Sequence, residues 1–184
     1  MSKIGNKPIN LEGVEAKIDQ YSLEVKGEKG SQILDIPLEL EIEINKEKKK
    51  LTVKRKSDSS QAKALHGTYR ALINNMVLGV KEGFRKELIY QGVGYKAEVQ
   101  EQKLILNVGY SHPAEYNLPE GIKATVEDDR IIVEGINKQL VGQTAAEIRA
   151  IKPPDAYKGQ GIRYANEKLL LKPGKAVAKG IEEK

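Results

Sequence analysis

Apolar and polar residues alternate along most of this chain, and the alternation gives way twice to a helical period. Val14, Ala16 and Ile18, then Leu23 and Val25, mark two strands joined near Gln20-Tyr21, because successive strand side chains point to opposite faces. Leu38, Leu40, Ile42 and Ile44 repeat that period. The polar stretch Asn45 to Lys49 reads as a turn, and Leu51 and Val53 begin the next strand. The period then changes. Ala62, Leu65, Tyr69, Leu72, Ile73, Met76, Val77 and Val80 fall on one face of a helix. Asp58 or Ser59 can cap its start, and Gly79 and Gly83 punctuate its end.

The same succession returns in the second half. Strands are expected near 86–99, 103–109, 114–118, 122–127 and 130–134, followed by a helix from about Lys138. Its buried stripe is Leu140, Val141, Ala145, Ile148 and Ile151, and it must stop before Pro153. Ala16 aligns with Ala97, Leu23 with Leu104, Leu40 with Ile122, Leu51 with Ile131 and Ile73 with Ile148, so the offset drifts from 81 to 82, 80 and 75. A rival register at offset 108 matches only one hairpin, Gly13 to Gly27 with Gly121 to Gly135. The ordered register predicts a duplication. Each half-polar strand set needs one covered face, and one amphipathic helix per unit supplies it. The expected fold class is therefore α+β: two duplicated small domains, 1–82 and 83–152, each an antiparallel β-sheet covered by an α-helix. A basic C-terminal tail at 153–184 follows.

Composition narrows the chemistry. The chain has 184 residues with 31 Lys+Arg against 26 Asp+Glu, a formal charge of +5, two histidines and no cysteine. Disulfides, thiolate metal sites and a cysteine nucleophile are excluded. No apolar run approaches the roughly 18 residues of a membrane span, and the first residues lack a secretory signal, so a soluble intracellular protein is expected, with the absent transit peptide favouring the cytoplasm over an organelle of bacterial descent. The charge is uneven: residues 1–82 carry +3, 83–151 carry −2 and 152–184 carry +4.

No catalytic constellation assembles. Gly92-Val93-Gly94 and Gly159-Gln160-Gly161 lack the third glycine and the setting of a dinucleotide loop; Gly92 and Gly94 read as a bulge or close approach. His66 reads as a helix-packing or surface residue, and His112 as a turn residue or RNA contact. Glu127-Asp128-Asp129 lacks calcium-loop spacing. Lys48-Lys49-Lys50 reads as a solvated hairpin or a phosphate contact. No enzyme, cofactor, metal or small-molecule substrate is expected.

The stretch Pro153-Pro154-Asp155-Ala156-Tyr157-Lys158-Gly159-Gln160-Gly161-Ile162-Arg163-Tyr164 combines three features that suit RNA. Lys158 and Arg163 offer cations to phosphates. Gly159 and Gly161 allow close backbone approach, and Tyr157 and Tyr164 offer flat faces for stacking. Lys168, Lys172 and Lys175 continue the charge. These nine residues are the candidate RNA-binding set. The alternative is a protein-interaction scaffold without nucleic acid, using helix faces and sheet edges such as 38–44.

These residues, with Lys172-Pro173-Gly174-Lys175, make the chain resemble the universal uL6 family of the large ribosomal subunit. Ser2, Ile4-Gly5, Pro8-Ile9, Val25-Lys26-Gly27, Lys29-Gly30, Leu65-His66-Gly67-Thr68 and Gly92-Val93-Gly94-Tyr95 also match, as do Gly109 to Pro113 and Lys138 to Gln143. Glu28 and Leu11 stand where the family favours proline, and Gln160 replaces a usual lysine. The resemblance implies a structural protein bound to large-subunit (23S-type) ribosomal RNA, with the second domain making most of the RNA contact. It also implies a position near the factor-binding region and stalk base, beside the sarcin–ricin loop, with neighbouring large-subunit proteins as partners.

Overall fold

The computed structural model describes residues 4–45 and 49–174. Ser2, Lys48 and Lys175 lie outside the described residues. Contacts divide the chain into two compact units, Met1–Arg85 with Glu134–Val141, and Lys86–Val133 with Gly142–Lys184.

In the first unit, β1 (Ile9–Asn10), β2 (Glu15–Asp19), β3 (Ser22–Gly27), β4 (Gly30–Asp35), β5 (Leu40–Asn45) and β6 (Lys50–Arg55) precede helix α1 (Ser60–Lys81). The strands are shared between two antiparallel sheets, ordered β2-β3-β4 and β1-β6-β5. Leu23, Val25, Leu40, Leu51 and Val53 turn inward and meet Ile73, Met76, Val77 and Val80 of α1 in one apolar core. β4 is absent from the sequence reading for a visible reason. Its inner face carries Gln32 and its outer face Ile33, so the alternation of apolar and polar residues is lost.

The start of α1 is fixed by Ser59, whose Oγ accepts the Ala62 N–H at 3.1 Å. Asp58 instead pairs with Arg55 at 2.7 Å. His66 is buried, and its Nε2–H donates to the Val53 carbonyl at 2.8 Å, tying helix to sheet. Gly79 does not end the helix, which runs on to Lys81; a side chain there would collide with the Ile136 carbonyl. Gly83, at φ +78, follows the helix end.

The second half contains β7 (Phe84–Gln91), β8 (Lys96–Gln100), β9 (Lys103–Asn107), β10 (Ala114–Asn117), β11 (Ile122–Glu127), β12 (Arg130–Gly135), α2 (Lys138–Ile151) and β13 (Gly161–Tyr164). Its sheets are ordered β8-β9-β10 and β11-β12-β7-β13. Residues 84–85 and 134–141 count with the first unit. Asn137 Oδ1 accepts the Gln139 N–H at 2.9 Å and so caps α2. Val141, Ala145 and Ile148 of its expected stripe are buried, whereas Leu140 is exposed and Ile151 half-buried.

The two halves correspond strand for strand. β2 and β3 map to β8 and β9, β5 and β6 to β11 and β12, and α1 to α2, at the offsets read from the sequence. The offset-108 register lays one hairpin, β2-β3, on another, β11-β12, and goes no further. The stretch expected as one strand near 86–99 is two, β7 and β8: Gly92 to Gly94 form a turn between them rather than a bulge, with the Tyr95 ring against Gly92. β13 has no equivalent in the first half. It belongs to the stretch expected as a tail, yet it forms the outer strand of a four-stranded sheet.

Ile73 and Ile148 occupy equivalent helix positions and are both fully buried. Changing either to alanine should destabilise its own unit by about 2–5 kcal/mol, through lost transfer energy and the cavity left behind. Denaturant melts of the two variants check this, with comparable losses expected at the two sites.

Candidate nucleic-acid interface

Beyond α2 the chain cannot continue as a helix, because Pro153 and Pro154 follow at once. The Asp155 carboxylate accepts the N–H groups of Lys158 at 2.8 Å and Tyr157 at 3.0 Å. These two donors hold the Asp155 carboxyl below the usual range. Asp155 also exchanges backbone hydrogen bonds with the far side of the loop: its N–H donates to Gln160, and its carbonyl accepts from Gly159. The result is a closed turn with Tyr157 and Lys158 at its tip. Both are exposed, Tyr157 by 59%. The Lys172 N–H donates to the Ala156 carbonyl at 2.8 Å, bringing a third candidate to the same turn. Lys168 and Lys172 are exposed.

The residues that follow are built into the fold. Gly161 has φ +145, and a Cβ there would lie 2.6 Å from both the Pro153 oxygen and the Pro154 Cα. Only glycine satisfies both limits. Ile162 is buried and pairs with Tyr90. The outward amides of β13 are occupied: Ile162 N–H donates to Lys152 O at 2.7 Å and Tyr164 N–H to Glu167 Oε2 at 3.1 Å. The edge of this sheet is therefore closed to a further strand.

Glu167 organises the root of the loop. Its carboxylate takes both Nη2 (2.5 Å) and Nε (3.0 Å) of Arg149 in a fork, and its carbonyl accepts Arg163 Nη1 at 3.2 Å. Arg149 and the Tyr164 N–H together lower the Glu167 carboxyl from its ordinary value. The Tyr164 ring has Arg149 Cζ at 5.8 Å and Lys86 Nζ at 6.0 Å from its centroid. Nearby, Tyr110 Oη–H donates to the Ile151 carbonyl at 2.7 Å and carries Lys152 Nζ 4.5 Å above its ring.

Thus the structure brings Tyr157, Lys158 and Lys172 together at one exposed turn, with Lys168 on the same segment. Gly159, Gly161, Arg163 and Tyr164 are partly or wholly enclosed. Sequence reasoning missed Asp155, Glu167, Arg149, Lys86 and the Tyr110–Lys152 pair. Asp155 had a local signal, an aspartate two residues before the turn tip. Glu167 had none, since its partner Arg149 is 18 residues away.

The family described as Ribosomal protein L6 matches this chain twice, over residues 12–83 and 91–165. Among individual relatives, the chain is 56% identical to the large ribosomal subunit protein uL6 of Thermodesulfovibrio yellowstonii, covering 95% of this chain and 98% of that one. It is 51% identical to the uL6 protein of Syntrophomonas wolfei, over 97% and 100%. It is 52% identical to that of Streptococcus uberis, over 95% and 98%.

Gly161→Ala should cost about 1–3 kcal/mol, because strained backbone and overlap with Pro153 act together; amide exchange at Ile162 will report it as faster opening. Glu167→Gln should lose about 1.5–3 kcal/mol at neutral pH, the scale of hydrogen bonds to a charged group. A lowered carboxyl stabilises the fold above its unfolded value of about 4.3 and stops doing so as pH falls through the folded value. The stability gap between wild type and Glu167→Gln should therefore be full at pH 7 and shrink progressively in acid. Parallel melts across pH check the sign.

Proposed function

The chain belongs to the Ribosomal protein L6 family, and from that membership we propose that it is a structural, non-catalytic constituent of the large ribosomal subunit that binds large-subunit (23S-type) ribosomal RNA. The observation that carries the binding mode is the turn at 155–160. One aspartate locks it, and it offers an aromatic face at Tyr157 beside the cations Lys158 and Lys172. Cations neutralise phosphates and release counterions, while the ring stacks on an unpaired base or a ribose. Because the turn is already closed, little ordering entropy is spent on binding.

On this reading the nine candidates divide by task. Tyr157, Lys158, Lys168 and Lys172 touch RNA. Gly159, Gly161, Arg163 and Tyr164 hold the loop in shape, and Lys175 extends the cationic run. The protein works on the cytoplasmic ribosome beside neighbouring large-subunit proteins. Its position near the factor-binding region and stalk base, next to the sarcin–ricin loop, is supported by the family resemblance. No helix among the described residues is long and apolar enough to cross a membrane.

A salt titration of binding to a large-subunit RNA fragment separates the two tasks. Lys158→Ala should lower the slope of log affinity against log salt by about one, as should Lys172→Ala. Arg163→Ala should weaken binding through a looser loop while leaving the slope near wild type. Unchanged slopes for both lysine variants would remove them from the interface.

A further inference from the structure

The outer edges of these sheets are finished in different ways. β13 has its outward amides occupied, as described above. β4 of the first unit does not. Gly27 and Gly30 face each other across the two-residue turn Glu28-Lys29. The pair closing such a turn exchanges both backbone hydrogen bonds, and bonded pairs then alternate along the ladder. Gly30, Gln32 and Leu34 therefore direct their backbone groups to β3. The Ile36 N–H, donating to the Tyr21 carbonyl at 2.7 Å, continues that inward series. Ser31, Ile33 and Asp35 direct theirs outward, and among the described residues nothing bonds them.

The side chains along this edge are equally unpartnered. Ile33 is 70% exposed on the outer face, and Leu38 and Tyr21 are exposed where the strand ends. The charges around that end are mostly negative. Asp35 shares a cross-strand row with Ser22 and Asp19, Glu24 lies opposite Ile33, and Glu39 follows Leu38. Lys17 lies across from Glu24, and Lys26 across from Ser31 at the other end of the strand. An apolar strand edge ringed by carboxylates repels phosphate and favours a cationic partner.

We infer that the β4 edge, at Ser31, Ile33 and Asp35, is a docking site for an extended lysine- or arginine-rich segment of another protein, added as a further strand to the β2-β3-β4 sheet. Main-chain hydrogen bonds to the outward groups supply affinity. An apolar residue of the incoming strand covers Ile33, and a cationic residue meets Asp35; such cross-strand pairs set register and preference. The inference does not rest on the RNA-binding reading, since it uses different residues in the other unit.

The test uses the full chain with two eight-residue probes, Val-Thr-Lys-Thr repeated (the valine–lysine peptide) and Val-Thr-Glu-Thr repeated (the valine–glutamate peptide), so that one face of each presents valine and the charged residue in turn, matching Ile33 and Asp35 on one face of β4. It is read by backbone NMR and amide exchange. In the free protein the Ser31, Ile33 and Asp35 amides should exchange fast, and those of Gln32 and Leu34 slowly. The valine–lysine peptide should shift and protect Ser31, Ile33 and Asp35, while the valine–glutamate peptide leaves them unchanged. Asp35→Lys should weaken the valine–lysine peptide by about fivefold or more. Ile33→Lys, at an exposed position that leaves the core intact, should weaken it as well. Four results would each overturn the inference: no protection of β4 by the valine–lysine peptide; equal protection by both peptides; protection by an RNA fragment instead; or protection that grows with protein concentration alone, which would make the occupant a second copy.

Discussion

Every strand of this protein with one wet face needs the other face covered, and that constraint organises the chain. In each half a helix supplies the cover: α1 lays Ile73, Met76, Val77 and Val80 over the inward residues of β3 and β6. α2 contributes Val141, Ala145 and Ile148 to the buried residues. Because apolar burial contributes roughly 25 cal/mol per Å², the positions that carry the repeat are the buried ones.

The duplication also shows where the second half was elaborated. β1 and β7 are the corresponding first strands, but only β7 receives an additional strand, β13. Adding it solves an edge problem and builds a platform together. The strand is held by Ile162 in the core and closed on its outer side by Lys152 O and the Glu167 carboxylate. The loop between α2 and β13 is thereby anchored at both ends. Tyr157 and Lys158 ride on that loop rather than on a free terminus.

Charge and aromaticity therefore do two kinds of work in the same dozen residues. Arg163 and Tyr164 look from composition like a cation and a stacking face, and they are used internally, one donating to Glu167 and the other lying beneath Arg149 and Lys86. Tyr157, Lys158 and Lys172 stay exposed, as the proposed binding mode requires. Buried or paired cations have already exchanged water for protein contacts, so they have less to gain from a phosphate. The β4 edge of the first unit shows the reverse situation, with backbone groups and an isoleucine unspent and carboxylates around them.

Most elements, the duplication and the basic stretch after the second helix were legible in the sequence, because each rests on local information: a period of two or 3.6, a proline that stops a helix, a serine that caps one, a run of cations; that the stretch closes into a turn was not. β4 and β13 were not legible. Gln32 and Ile33 blur the alternation of the first, and Gly161 and Arg163 blur that of the second; both strands exist because a neighbouring strand is there to pair with them. Likewise, no spacing rule joins Arg149 to Glu167 or brings Lys172 to Ala156. Which cations are spent inside the fold and which stay exposed depends on groups far apart along the chain meeting at hydrogen-bond distance, and only the tertiary structure decides that.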